Sequence, residues 1–570
     1  MHLHRIVSAV AVASAMVALL VGASSASASG AINWGPCSEQ ALEEAGAQCG
    51  YLSVPLDYSN PNGPQIQLAV SRIQHTSRDY QGVIVTNPGG PGGEGLNLNT
   101  YLIPVLQQEG YNGAADDYDW IGFDPRGVGA SIPAISCEPN YLGPDRPSYE
   151  PYSPQLLETW LTRSRQYAND CGSASPLQSQ LLQNMTTRDN AMDVDSIRKA
   201  LGQSQITYYG FSWGTDLGQA YATLFPSHVR RMILDSNVDP LRDGYEDFNL
   251  DQDAPFNRNE NIWFAWLARY NNVYHLGKSE AAVHAQFYAT EHQLESEPAD
   301  GEIGPDEGTD IFLDPAYYQE TWVTWAQVFS NWVNEHNAAA AEELVDLYET
   351  VDAPGNDNEL AVYLSVLCTD SQWPTNWNIW EADSWALSRV APLETWDNTW
   401  FNAPCAFWPA PAQQRLAVNG SGVKSALLID ETLDAATPFE GSFVTRQLFP
   451  TSVLVAEPGG TSHADSLSGN LCVDGTIANY LETGALPARN PKAPWDKTCA
   501  PSPQPVPPSS SSAAQANDVA AAGALVRLGT PASRVRLPAV VARSSTQKLA
   551  SAPSARHRGA RRGARRRRTR

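Results

Sequence analysis

Three residue types, far apart in this 570-residue chain, have what nucleophilic catalysis needs. Gly210-Phe211-Ser212-Trp213-Gly214 fits the pattern G-x-S-x-G, preceded by an apolar run at 207–209 and followed by a helix-compatible run at 215–224. A tight strand-to-helix turn of this kind lifts the Ser212 hydroxyl above a sheet, at the amino end of a helix. A serine hydroxyl is a weak nucleophile until a base takes its proton, and a carboxylate must orient that base. His463, in PGGTSHADS, follows an apparent strand at 452–456 and is the only histidine between the Trp-rich segment and the C-terminal tail. Three acids follow strands in the same way: Asp434, Asp430 and Asp235. Asp434 sits in a turn with Thr437-Pro438 just beyond, Asp430 lies nearer its strand end, and Asp235 follows the strand after the serine helix. The residues favour Asp434 and leave the other two open.

Acyl transfer places negative charge on the carbonyl oxygen, so hydrogen-bond donors must await it. The turn supplies the Trp213 N–H. A second donor is expected from NPGGPGGEG at 87–95, where Gly89 and Gly90 leave room for backbone approach, with Gly90 the choice. That loop lacks the Gly-Lys-Ser/Thr ending of a phosphate-binding loop, and no dinucleotide fingerprint follows, so no cofactor is expected.

These residues need a scaffold that gathers them. Short apolar runs at 83–85, 119–123, 207–209, 231–234 and 426–429 each end in glycines or an acidic turn. A helix is expected between the second and third. Thr186 and Asp189 resemble a capping box, Ala191, Val194, Ile197 and Leu201 share a face, and Gly202 ends it. Strands alternating with helices imply a mostly parallel sheet covered on both faces, with ligands at the carboxyl ends of the strands. Residues 246–415 break the rhythm. They read as helical and hold, from Trp263 to Trp408, 12 of the 17 tryptophans. They are expected to form a cap, inserted between core segments 29–245 and 416–500, that gives a cleft aromatic walls.

The two ends stand apart from this body. Residues 1–28 have a basic start, an apolar run at 6–21 and an A-x-A site at 26–28, the signature of a cleaved export signal. The run is short of the roughly twenty residues a membrane span requires, and no later stretch is long and apolar enough. Residues 501–570 are rich in Pro, Ser and Ala and hold 14 of the 37 basic residues but one acid, Asp518. That composition predicts a disordered tail, with a basic end suited to an anionic surface or to solvent. The remaining body is thus more acidic than the whole-chain charge of −25 conveys, which excludes nucleic acid as a natural substrate. Eight cysteines, Cys37, Cys49, Cys137, Cys171, Cys368, Cys405, Cys472 and Cys499, suit a disulfide framework in an exported protein. Pairing neighbours would close short loops, although eight cysteines allow 105 connectivities. None is close enough to another for a metal-binding knuckle.

Taken together, NPGGPGGEG, DPRGVGAS, GFSWGTDLG, LFPSHVRRMILDS, IDETLDAATP and GGTSHADS…NLCVD resemble, in order, the secreted bacterial tripeptidyl aminopeptidases. These are proline-iminopeptidase-like serine peptidases of the α/β-hydrolase fold, and the resemblance spans residues 33–500. It implies a secreted exopeptidase releasing short peptides, typically tripeptides, from free amino termini through an acyl-enzyme. It selects Asp434 as the acid and His463 as the base, places Thr437 in support of the acid's loop, and suits neighbour-wise disulfides. An esterase using the same triad is the alternative. Glu94 stands where the family has a small residue, and Asp216 where it has an aromatic one. Both are expected to add charge that favours cationic substrate groups, unless they face solvent. Among cap acids, Asp370, two residues after Cys368, is a candidate for holding the substrate's ammonium.

Overall fold

A computed structural model describes residues 30–508 apart from 243 and 353; the expected export signal at 1–28 and residues 509–570 of the expected tail lie outside them. Among the described residues, ten strands form one sheet: β1 (Gly35–Pro36), β2 (Gln48–Pro55), β3 (Gln65–Ile73), β4 (Gly82–Asn87), β5 (Tyr118–Phe123), β6 (Ile206–Phe211), β7 (Val229–Asp235), β8 (Ala426–Glu431), β9 (Ser452–Glu457) and β10 (Lys497–Thr498). Their order is β1-β2-β3-β5-β4-β6-β7-β8-β9-β10. From β5 to β10 every pairing is parallel. β1, β2 and β3 add an antiparallel edge, which the apolar runs did not reveal. β2 and β3 alternate buried and exposed residues along much of their length, a fainter signal than a continuous apolar run.

The period-two geometry of a strand distributes the core to both faces of this sheet. Val83, Val85, Tyr208 and Leu234 pack with Ala191 and Val194 of the helix Thr187–Ala200 and Leu217 of the helix Trp213–Leu224. The intervening Ile84, Tyr209 and Ile233 face the other way, onto Leu102, Leu106, Ile477 and Leu481. Thr186 caps the first helix as its sequence predicted, accepting the Asp189 N–H at 3.1 Å. Helices on both faces of a mostly parallel sheet give the α/β-hydrolase architecture.

Among the described residues between β7 and β8, no named strand occurs and helices dominate. The tryptophans there pack on one another. Trp263, Trp266, Trp322, Trp325 and Trp332 share one buried cluster. Trp377, Trp380 and Trp400 stack with Trp160, which comes from the chain before β6, with ring centroids 4.9–5.6 Å apart. Aromatic cleft walls were expected of them, but a cavity between the cap and residues 142–149 is lined by no tryptophan, its rings being Tyr149, Tyr317 and Phe401. Burying so much ring area inside the cap outweighs displaying it.

The disulfides join Cys37–Cys49, Cys137–Cys171, Cys368–Cys405 and Cys472–Cys499. Such bridges persist in oxidising compartments outside the cytoplasm. No helix among the described residues is long and apolar enough to cross a membrane. The start of the expected disordered tail is instead packed on the cap. Ser502 and Pro505 carbonyls accept from Gln319 Nε2 at 3.1 Å and Trp266 Nε1 at 2.9 Å. Backbone carbonyls serve as acceptors even in a Pro-rich segment, so composition alone misplaces the boundary.

Candidate active site

Ser212 follows the fully buried strand β6 with φ +54° and ψ −129°, a conformation that costs a non-glycine residue of order 1–3 kcal/mol. Surrounding hydrogen bonds hold it there. Its N–H donates to the Asp235 carbonyl at 3.0 Å, and its own carbonyl accepts from Thr215 N at 2.8 Å and Thr215 Oγ1 at 2.7 Å. Gly214 is required by crowding, since a Cβ there would lie 2.7 Å from the Asn87 carbonyl and Oδ1. Gly89 answers from the other side: its φ is +103°, and a Cβ would stand 2.9 Å from Ser212 Cβ and 3.0 Å from Trp213 N. The glycine loop after β4 is thereby pressed against the serine turn. Gly90 is the next residue of that loop, and Trp213 opens the helix, where an N–H has no intrahelical partner.

His463 lies on the loop after β9 and is buried. Its Nδ1 is 2.8 Å from Asp434 Oδ2 and 3.0 Å from Oδ1. A carboxylate at Nδ1 makes that nitrogen the donor, so Nε2 carries the lone pair of the neutral ring. Nε2 has no hydrogen-bond partner among the described residues. Asp434, in the turn after β8, accepts Ala436 N at 2.9 Å and Thr437 N at 3.0 Å on Oδ1, and Thr437 Oγ1 at 3.0 Å on Oδ2.

The other two acids serve the scaffold. Asp235 Oδ2 accepts from both the N–H and the hydroxyl of Ser466, while Ser236 Oγ accepts the Ala464 N–H at 2.8 Å. The end of β7 therefore holds the serine turn through one backbone carbonyl and the histidine loop through two side chains. Burial pushes the Asp235 carboxyl up to about 6, against the lowering pull of Ser466. Asp430 accepts the Ser442 hydroxyl at 2.6 Å, and burial, with Asp434 nearby, holds it well above the usual carboxylate range.

The remaining expected ligands are placed differently from one another. Thr437 is buried with its hydroxyl on Asp434, which makes it a support of the acid and not a wall of a cleft. Asp370 does not meet the triad as a free carboxylate. Its Oδ1 accepts Thr187 N at 2.9 Å and its Oδ2 the Thr187 hydroxyl, so it caps the start of the helix Thr187–Ala200. Glu94 is exposed, beside Gly129 and Asp124; burial of Asp124, with the Glu94 charge second, raises the Asp124 carboxyl to about 7. Asp216 neither faces solvent nor offers free charge; it is buried and paired with Arg415 at 3.2 Å.

Sequence reasoning missed the cap residues that reach the triad loops. Asn259 Nδ2 donates to the carbonyls of Leu433 at 2.9 Å, Thr461 at 3.2 Å and Ala316 at 3.1 Å. Arg258 bonds the Leu433 carbonyl at 2.6 Å, and the Tyr317 carbonyl accepts the His463 N–H at 2.9 Å. No local pattern marks these residues, because their partners on the acid and histidine loops are more than a hundred positions away.

Known families and proteins resemble this chain. Residues 82–331 match the α/β-hydrolase fold family, and residues 391–499 match a family described as TAP-like protein. A tripeptidyl aminopeptidase of Streptomyces coelicolor is 38% identical over 483 residues, covering 84% of this chain and 87% of that protein. The serine protease Hip1 of Mycobacterium tuberculosis is 30% identical, covering 81% of this chain and 90% of its own. A carboxylesterase B of the same species is 31% identical, over 82% and 90%. The chain belongs to the tripeptidyl aminopeptidase family of α/β-hydrolase serine hydrolases.

Proposed function

We propose that this protein is an exported exopeptidase that releases short peptides, tripeptides foremost, from free amino termini. Ser212 attacks the scissile carbonyl, and His463 Nε2 takes its proton and returns it to the leaving amine. Asp434 fixes the ring and stabilises the imidazolium, and water then hydrolyses the acyl-enzyme. Trp213 and Gly90 N–H groups receive the oxyanion, aided by the positive end of the helix that begins at Trp213. The buried Asp434–His463 pair, 2.8 Å apart with the imidazole's other nitrogen unengaged, supports the hydrolytic chemistry, and the 38% identity to a tripeptidyl aminopeptidase supports the substrate class. The A-x-A leader and four disulfides support export. The clustering of strands in 29–245 and 416–500 supports a core divided by the 246–415 cap.

The relative named carboxylesterase B supports a second reading, hydrolysis of small esters by the same triad. One assay divides them: a free tri-alanyl p-nitroanilide, its N-acetyl counterpart and p-nitrophenyl acetate. Cleavage of the free peptide alone is expected. Equal cleavage of the blocked peptide removes the exopeptidase reading, and ester-only turnover installs the esterase. Ser212→Ala should lower kcat by roughly 10⁶ while leaving the fold intact.

A further inference from the structure

The glycine loop that faces Ser212 is anchored at both ends, and its far anchor is a carboxylate. At the near end Gly89 N donates to Asn87 Oδ1 at 3.1 Å, and the Gly93 N–H closes a turn on the Gly89 carbonyl at 3.2 Å. At the far end Asp124, 1% exposed just after β5, accepts Gly95 N at 2.9 Å and Leu96 N at 3.2 Å on Oδ1. Its Oδ2 accepts Ala130 N at 2.9 Å, so one carboxylate joins two loops. Gly129 makes the space: with φ +51°, a Cβ there would lie 2.5 Å from Asp124 Oδ2 and 3.0 Å from Glu94 Cγ. The cap helix Asn358–Asp370 closes the other side. A Cβ on Gly92 would stand 2.5 Å from the Glu359 carbonyl, and Asn358 Oδ1 accepts the Gly129 N–H at 2.8 Å.

A carboxylate accepts three backbone N–H groups most firmly while ionised, because a proton takes both a lone pair and the charge. Burial first, and then the Glu94 charge, raise the Asp124 carboxyl to about 7. The hold is therefore full above that pH and weakens as pH falls through it. Of the other charged groups nearby, Arg126 on the same loop is committed to Asp193 at 2.7 Å, and Glu359 belongs to the cap helix. Glu39 is itself raised by burial and by Glu94. We propose that Asp124 is a positioning residue for hydrolysis: it clamps the glycine loop so that the Gly90 N–H stays aimed at the oxyanion, and Glu94 sets how readily the clamp releases. The inference rests on the oxyanion role proposed for Gly90, and it holds for peptide and ester substrates alike.

The test follows kcat and KM against pH, from about pH 5 to about pH 9, for wild type, Glu94→Gln, Asp124→Asn and the double variant on free tri-alanyl p-nitroanilide. Asp124→Asn should lower kcat by roughly tenfold to a hundredfold with KM little changed, since an oxyanion donor acts in the transition state. Glu94→Gln should move the acid limb down by about half a pH unit, an exposed charge being partly screened. In the Asp124→Asn background the same change should move nothing. A limb unmoved by Glu94→Gln in wild type overturns the proposal, and so does an equal shift in both backgrounds, which would mean that Glu94 acts on His463 directly. Circular dichroism reports whether each variant folds. Should Asp124→Asn not fold, hydrogen exchange at the Gly95, Leu96 and Ala130 amides of wild type and Glu94→Gln decides the matter, after correction for the intrinsic rate. Protection that falls below about pH 7 in wild type, and only at lower pH in Glu94→Gln, supports the clamp. Protection independent of both overturns it while Gly90 keeps its proposed role. Loss of protection in a folded Asp124→Asn with kcat unchanged overturns the oxyanion role instead, and this inference with it.

Discussion

Thr437 gives Asp434 both its backbone N–H and its hydroxyl, so one threonine occupies both carboxylate oxygens opposite the imidazole. Losing the hydroxyl leaves a buried lone pair unmet and lets the carboxylate turn away from His463, at a cost of about 1–1.5 kcal/mol. Thr437→Val should therefore lower kcat about tenfold with KM little changed, while Thr437→Ser retains most activity. Equal loss in both variants would point to a packing role instead. At this scale the sequence was partly legible. The D-x-x-T-P turn marks Asp434 as a residue whose carboxylate accepts backbone N–H groups just beyond it. It does not show which of Asp434, Asp430 and Asp235 meets Nδ1. That depended on Ser442 and Ser466 engaging the other two.

The cap and the sheet meet at the helix Asp253–Arg269, whose Asn259 is fully buried and bonds three carbonyls from three segments. Two of those segments carry the proposed acid and base, Asp434 and His463, so the cap helix ties their loops together. Asn259→Ala should cost about 1–3 kcal/mol of stability and lower kcat more than it raises KM. Unfolding by denaturant and steady-state kinetics check the two halves, and an unchanged kcat would confine Asn259 to the fold. The parallel strands were legible because each is a continuous apolar run ending in a polar turn. The cap's role was not, since a buried helix face in a sequence names no partner.

Across the whole molecule, acidity is carried inside as well as outside. Glu431 and Glu457 are directly opposed on β8 and β9, both buried beneath the histidine loop. Burial first, then neighbouring carboxylates, raises Glu457 to about 9, Asp474 to about 8 and Asp465 to about 7, with Glu431 well above its usual range. Each ionises more readily in the unfolded chain, near pH 4. Its stabilising effect is full below that pH and is lost as pH rises through the folded value. The melting temperature should thus fall between about pH 7 and pH 9, and Glu457→Gln should flatten the slope. A melting temperature that holds or climbs across that window would contradict this placement of charge.

The sequence by itself determined the serine turn, the order serine–acid–histidine, the parallel core and the family, because each is written in local spacing or in strand-by-strand alternation. Tertiary structure alone decided which carboxylate faces His463, that Asp370 caps a helix and Asp216 pairs with Arg415, and that the tryptophans fill the cap while acids line its cavity. Those outcomes rest on burial and on partners remote in sequence. A carboxylate's role depends on which donors the folded chain brings within hydrogen-bond distance of it.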